Sequence, residues 1–229
     1  FVLPADRADH ANPLVVNGGT NVTGIATTGT DRNTFEGPAW AKTIYLGNVE
    51  IPAGASWTMS PSGGATYFAA GNGSAAIYAA GSLRVDAGAV VKVQGLQDGI
   101  YVAQDGSLVV DGTSAEPVVF TSIDDDTIGG DSRSDGTTTI TPARRLIRSY
   151  DDVTIDHAEF RNADMAVRVG ADDCTVFCSG CPGQSAGQLT AIDNVFRAPV
   201  SICRMAANPV LARNRFVLPA DRADHANPL

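Results

Sequence analysis

Short alternations of apolar and polar residues recur along this chain, each bounded by a glycine-bearing corner. Gly47-Asn48-Val49-Glu50-Ile51-Pro52-Ala53-Gly54, Gly81-Ser82-Leu83-Arg84-Val85-Asp86-Ala87-Gly88 and Gly106-Ser107-Leu108-Val109-Val110-Asp111-Gly112 share one plan: a turn, an in-out-in strand, and another turn. The copies are offset by 34 and 25 residues. Side chains at period two share one face of a strand. Val49, Leu83 and Leu108 are therefore expected in one interior column, and Ile51, Val85 and Val110 in a second. Strands this short need partners, so the copies must pair with one another.

A second recurring piece is Asn-x-Phe, at Asn33-Thr34-Phe35, Asn194-Val195-Phe196 and Asn214-Arg215-Phe216. Ile155–Arg161 reads as a degenerate copy, one residue longer than Ile192–Arg197. An asparagine at a turn with a ring two places on puts amide and ring on the same side. Phe35, Phe196 and Phe216 are expected to form a third column. Spacings of 20 to 34 residues with Gly, Asn and Asp corners suit a β-solenoid better than a sandwich, which needs longer strands and tight hairpins.

Composition sharpens this. The 229 residues are 44% hydrophobic but only 7% aromatic, with 24 glycines, which fits strands joined by tight turns. FVLPADRADHANPL occurs at Phe1–Leu14 and again, identically, at Phe216–Leu229. The chain thus reads as a single module, 1–229, holding one 215-residue period plus a 14-residue overlap, cut from a tandem array. The net charge is −9, which argues against nucleic acid and anionic membranes as partners and favours divalent cations. No apolar run is long enough to span a membrane as a helix.

The stretches GNVEIPAGASWTM, GSLRVDAGAVVKV and GSLVVDGTSAEPVVFTSIDDDTIGGD resemble the right-handed parallel β-helix modules of very large bacterial surface and secreted proteins. The resemblance covers nearly all of the chain and is weakest at Cys174–Gly187. It implies an all-β, right-handed parallel β-helix with an acidic loop and a Cys-rich inserted loop, and rungs of roughly 20 to 25 residues divide the 215-residue period into roughly nine. It also implies an extracellular or cell-surface location. It specifies no activity, because one fold carries lyases, adhesins and plain stalks.

Candidate chemistry is sparse. Asp124, Asp125, Asp126, Asp131 and Asp135 lie within twelve residues and are the candidate ligands for calcium, a cation that takes about six to eight oxygens. Asp131, Asp135 and Gly136 match positions 1, 5 and 6 of a calcium loop; Arg133 and Pro142 stand where two further ligands belong. Apart from calcium, no cofactor is expected. Cys174, Cys178, Cys181 and Cys203 have loosely the ingredients of a zinc site but lack a second CxxC. In the oxidising exterior that the resemblance implies, disulfides are the expectation, with Cys203 tied to the cluster. Arg144, Arg145, Arg148, Asp151, Asp152, Asp156, Arg168, Asp172 and Asp173 supply the residue types a lyase needs, but no spacing gathers them on one face. His157 alternates as an outward polar residue.

The expected function is therefore structural, not enzymatic: a repeat module of a long extracellular filament, stalk or adhesin, stacking head-to-tail with identical copies. The alternative is a carbohydrate-active, polysaccharide lyase-like or glycan-binding module, with a surface glycan as partner.

Overall fold

The computed structural model of the chain describes residues 12–70, 75–95, 97–136, 139–170, 187–203 and 208–217. Among these described residues the regular structure is twenty strands and two single 3-10 turns. β1 (Leu14–Asn17) comes first. Six triplets follow. The first is β2 (Thr43–Gly47), β3 (Val49–Ile51) and β4 (Ser56–Met59); the second is β5 (Thr66–Ala69), β6 (Ala75–Ala79) and β7 (Ser82–Asp86). The third is β8 (Val90–Val93), β9 (Asp98–Val102) and β10 (Ser107–Asp111). β11 (Val118–Ser122), β12 (Ala143–Ser149) and β13 (Asp152–Asp156) form the fourth. β14 (Ala158–Phe160), β15 (Ala163–Gly170) and β16 (Leu189–Ile192) form the fifth. The last is β17 (Val195–Phe196), β18 (Val200–Cys203) and β19 (Val210–Ala212), before a closing β20 (Arg215–Phe216).

β1 pairs in parallel with β2, and from β2 onward each described strand pairs in parallel with the strand three places along, which sorts the strands into three sheets. The first runs β1-β2-β5-β8-β11-β14-β17-β20, the second β4-β7-β10-β13-β16-β19, the third β3-β6-β9-β12-β15-β18. One hydrophobic cluster draws on all three, with Ile44 and Leu46 from the first, Leu83 and Val85 from the second, and Ile77 and Ile100 from the third. No helix among the described residues is long and apolar enough to cross a membrane.

Leu83 and Leu108 are register partners, as are Val85 and Val110, and all four are buried. The columns run Trp57–Leu83–Leu108–Val153–Leu189 and Met59–Val85–Val110–Ile155–Ala191. Val49 and Ile51 do not belong to them. They lie in the third sheet, where Val49 partners Ile77 and Ile51 partners Ala79. The strand that does extend the second sheet is β4, reached after the corner Pro52–Ala55. A turn of three strands contains three similar strand–corner pieces, so the same local motif appears on different sheets.

The interior column of the first sheet is Leu14–Ile44–Tyr67–Val91–Phe120–Phe160–Phe196–Phe216. Its last four rings stack face to face, with centroids 5.0, 5.0 and 5.2 Å apart. Phe196 and Phe216 thus share a column, but Phe35 is not in it. Phe35 is buried beside the turn at Gly63, to whose carbonyl its N–H donates. Successive column members are 30, 23, 24, 29, 40, 36 and 20 residues apart. Eight strands therefore cross this sheet where spacings of 20 to 25 residues imply about nine. Two turns are lengthened, one by the acidic loop after β11 and one by residues between β15 and β16. Ile155–Arg161 carries no extra residue, because Ile155 partners Ala191 and Phe160 partners Phe196.

Asparagines close the corners. Asn194 is buried; its Oδ1 accepts from Ala158 N (2.7 Å), and its Nδ2 donates to Ile155 O and to Asn214 Oδ1 (both 3.0 Å). Asn214 repeats the pattern one turn on, accepting from Asn194 N and donating to Ala191 O. Each asparagine so satisfies main-chain groups that the bend removes from the ladder.

Candidate functional site

The acidic loop, residues 123–136, lies over the outer face of the first sheet. The side chains it covers are Phe68, Lys92 and Thr121, outward partners along β5, β8 and β11. Phe68 and Ile123 form a small apolar cluster here, with Tyr45 packed edge-on against Phe68 at 5.0 Å. Gly130 passes so near Ala39 that no Cβ would fit, and it adopts φ +69°.

Asp125 is the hub. It is 1% exposed and its two oxygens accept from Thr121 Oγ1 (2.7 Å), Thr127 Oγ1 (2.5 Å), Thr127 N (3.1 Å) and Asn162 Nδ2 (2.9 Å). Arg161 Nε lies 3.0 Å from it. Burial alone would raise its pKa, but the Thr127 and Thr121 hydrogen bonds and the Arg161 charge outweigh burial and hold it below the usual range. Lys92 Nζ donates to Gly130 O and lies 3.9 Å from Asp126. Burial pulls the Lys92 pKa down, and Asp126 offsets part of that. Asp126 is itself raised, first by burial and then by the Asp131 charge.

Asp124, Asp131 and Asp135 bind within the loop or to the segment that follows it. Asp124 accepts from Arg133 Nη2 (2.6 Å) and Thr141 N (3.1 Å). Asp131 accepts main-chain N–H groups of Arg133, Asp135 and Gly136, which outweigh partial burial and lower its pKa. Arg133 sits 2.6 Å from both Asp124 and Asp135, so at the third position of the loop stands a cation in place of a ligand. What these carboxylates do in the structure is fold their own loop onto the sheet.

A second charged column follows the corner between the second and first sheets. Asp86, Asp111 and Asp156 are register partners in adjacent strands. Arg84 bridges the first two: its Nε is 2.8 Å from Asp86 and its Nη2 donates to Asp111. The Asp86 hydrogen bond is the main cause that raises its pKa further. Beside Asp156 the partner is His157, 2.7 Å away. Asp193, on the next turn, takes a two-point contact from Arg213 (2.7 and 2.6 Å), which lowers the Asp193 pKa. His157, Asp193 and Arg213 occupy equivalent corners, all in the left-handed region at φ 48, 58 and 54°. An open groove of about 860 Å³ runs alongside, lined by Arg84, Asp86, Asp111 and Glu116.

The outer face of the third sheet carries Tyr78, Tyr101 and Arg148 in register. The two rings stack at 5.3 Å, and the Arg148 guanidinium lies 5.1 Å over Tyr101 and 5.0 Å over Tyr150. Asp98, 1% exposed, takes Arg145 Nε at 2.5 Å and Arg148 Nη1 at 3.4 Å. Asp151 and Asp152 accept main-chain N–H groups of Asp105 and Gln188. Asp156 is on the corner, away from Arg145 and Arg148. The lyase-type residues are thus divided between sheets; Asp172 and Asp173 lie outside the described residues. Cys203 ends β18, buried, and no cysteine among the described residues is free. Cys174, Cys178 and Cys181 lie outside the described residues. Gly170, its register partner, leaves no room for a Cβ beside the Cys203 carbonyl.

No family model matches the chain, and neither a curated protein nor a solved structure was found to be similar to it.

Proposed function

We propose that this chain is a right-handed parallel β-helix module of a long extracellular filament, stalk or adhesin, stacked head-to-tail on identical copies. The observation that carries the reading is the first sheet's interior column. Both of its terminal members, Leu14 and Phe216, belong to the duplicated FVLPADRADHANPL segment. Both are half-buried, whereas every member between them is buried. A sheet edge with an unfinished apolar column is a template for a further strand. A contact that repeats in one direction without closing produces a fibre. A disulfide from Cys203 to the Cys174–Cys181 cluster would staple the longer turn of such a module.

The test is a chain of two consecutive periods, imaged by electron microscopy beside the single period. Eight strands per period at about 4.8 Å predict an axial repeat of roughly 38 Å. Rods twice as long for the double chain support the module reading; two separate globular lobes overturn it. One observation favours a second reading. The Tyr78–Tyr101 stack flanked by Arg148 offers ring faces and cationic edges suited to an acidic glycan. Binding of polyuronate that Tyr78→Ala abolishes supports it, and no binding by the intact chain rejects it.

A further inference from the structure

We propose that Asp156, His157 and Asp193 form a binding site for a zinc-class divalent transition metal at the corner between the second and first sheets. Among the described residues this is the one group of three nitrogen, sulfur or carboxylate ligands whose donor atoms lie within 4.8 Å of one another. An imidazole with two carboxylates is a mixed nitrogen–oxygen donor set, which zinc accepts and calcium does not favour.

Two further observations point to a cation. The first is the pairing of the acid column. Stacked like charges in adjacent strands are destabilising unless a cation intervenes. Arg84 serves Asp86 and Asp111, while the third member, Asp156, faces the imidazole of His157 and, among the described residues, pairs with no arginine. The second is that Asp156 Oδ1 and His157 Nδ1 are both sealed from solvent, 2.7 Å apart, and make no hydrogen bond. A carboxylate oxygen and an imidazole nitrogen brought this close with neither atom hydrogen-bonded suit a shared metal ion. Tetrahedral zinc, with bonds of about 2.0–2.2 Å, would set them roughly 3.4 Å apart, a further separation of roughly 0.7 Å. The side chains of His157 and Asp156, 29% and 43% exposed, have room to do so.

Arg213 does not block the third ligand. Its fork takes one lone pair from each Asp193 oxygen, and a carboxylate offers about four. A ligand carboxylate held by an outer hydrogen bond is the usual arrangement at metal sites. Three protein ligands leave a position open, so the bound ion would carry water or an anionic group of a partner.

The experiment is zinc titration by calorimetry on the full, oxidised chain in a non-chelating buffer, with calcium as a parallel arm. The expected result is one saturable zinc site that calcium does not fill. Asp193→Asn and His157→Asn are expected to weaken it by about 10- to 100-fold. Asparagine tolerates the left-handed backbone at residue 157, so the metal-free melting temperature of His157→Asn serves as the check on folding. Absence of saturable zinc binding, or binding that both variants leave unchanged, overturns the proposal.

Discussion

The two faces of the first sheet are built from different physics. Its inner face is a column of apolar and aromatic side chains that ends in four stacked phenylalanines, with the Tyr67 hydroxyl bonded to the Ser60 main chain as its polar exception. Its outer face carries Phe68, Lys92 and Thr121 beneath a polar loop whose hub is an aspartate. Both faces are dry, yet the first is held by non-directional burial and the second by hydrogen bonds that must all be made together. Removing an atom from the inner face loses contact energy; removing one from the outer face strands its partners.

Phe160→Ala tests the inner face most severely. Phe160 is fully buried between two parallel rings, so the truncation removes both stacks and opens a cavity. A loss of about 4 kcal/mol is expected from the urea midpoint. A loss under about 1 kcal/mol would mean the column is not continuous at this turn.

Asp125→Ala is the matching strike on the outer face. It leaves Thr121, Thr127, Asn162 and Arg161 without their shared acceptor, at an expected cost of about 3 kcal/mol. The second signature should be local. Hydrogen exchange ought to speed up across Ile123–Gly136 while β14 and β17 stay protected. Uniform exchange through all three sheets would show instead that loop and core fold as one unit.

This contrast also explains what was legible in the sequence. Leu83, Val85, Leu108 and Val110 were legible because an alternating strand announces its buried face, and both copies fall on the same sheet. Val49 and Ile51 show the same alternation but lie one sheet away, and a motif shared by successive corners cannot say which sheet it belongs to. Phe120 lacks the preceding asparagine and is passed over by a search for Asn-x-Phe, whereas Phe160 is reached through the degenerate copy Ile155–Arg161. The signal that finds Phe120 is the aromatic ending of a short β-prone run, Val118-Val119-Phe120. The outer face had no period to read. Lys92 stands in a Val-Val-Lys-Val alternation that marks it as solvent-facing, and only the loop arriving from 38 residues later buries it. The Asp156–His157–Asp193 corner was hidden for a related reason: register between turns brings its members together, not spacing along the chain.

Asn194→Ala probes the joint between the faces, since the amide pins the corner that carries the chain from β13 into β14. The buried Ala158 N–H would lose its acceptor, and about 2 kcal/mol is the expected cost. Asn214→Ala, at the half-buried end of the column, should cost less. Equal losses would indicate that the end of the column is as closed as its middle.

Acid sharpens the comparison further, because the interior column carries no carboxylate and its one phenol, Tyr67, is pushed by burial further above its ordinary range. Asp125 and Asp131 have depressed values in the fold, so their stabilisation is full above the ordinary aspartate range and fades as pH falls through the depressed values. Asp126 is raised and acts in the opposite sense, so its protonation above that range stabilises. Together the three give a shallow stability maximum near pH 4, about the ordinary aspartate value. Asp126→Asn should remove the rise on acidification and leave the later fall. A monotonic decline in both proteins would contradict the assignment.

The smallest expected effect is Arg84→Ala. Its guanidinium bridges Asp86 and Asp111, a geometry no weaker on paper than the contacts of Arg161 to Asp125. The difference is water. The Arg84 side chain is 46% exposed, and solvent and salt screen its two contacts; Asp125 is sealed beneath its loop. An exposed pair typically contributes under about 1 kcal/mol, and its contribution falls as ionic strength rises. Arg84→Ala is therefore expected to shift the urea midpoint slightly in dilute buffer and negligibly in 1 M salt, where the Debye length is about 3 Å. Asp125→Ala should keep its full cost under both conditions. If Arg84→Ala proved as costly as Asp125→Ala and as indifferent to salt, the like-charge column at that corner would be shielded from solvent, and it would belong with the buried loop.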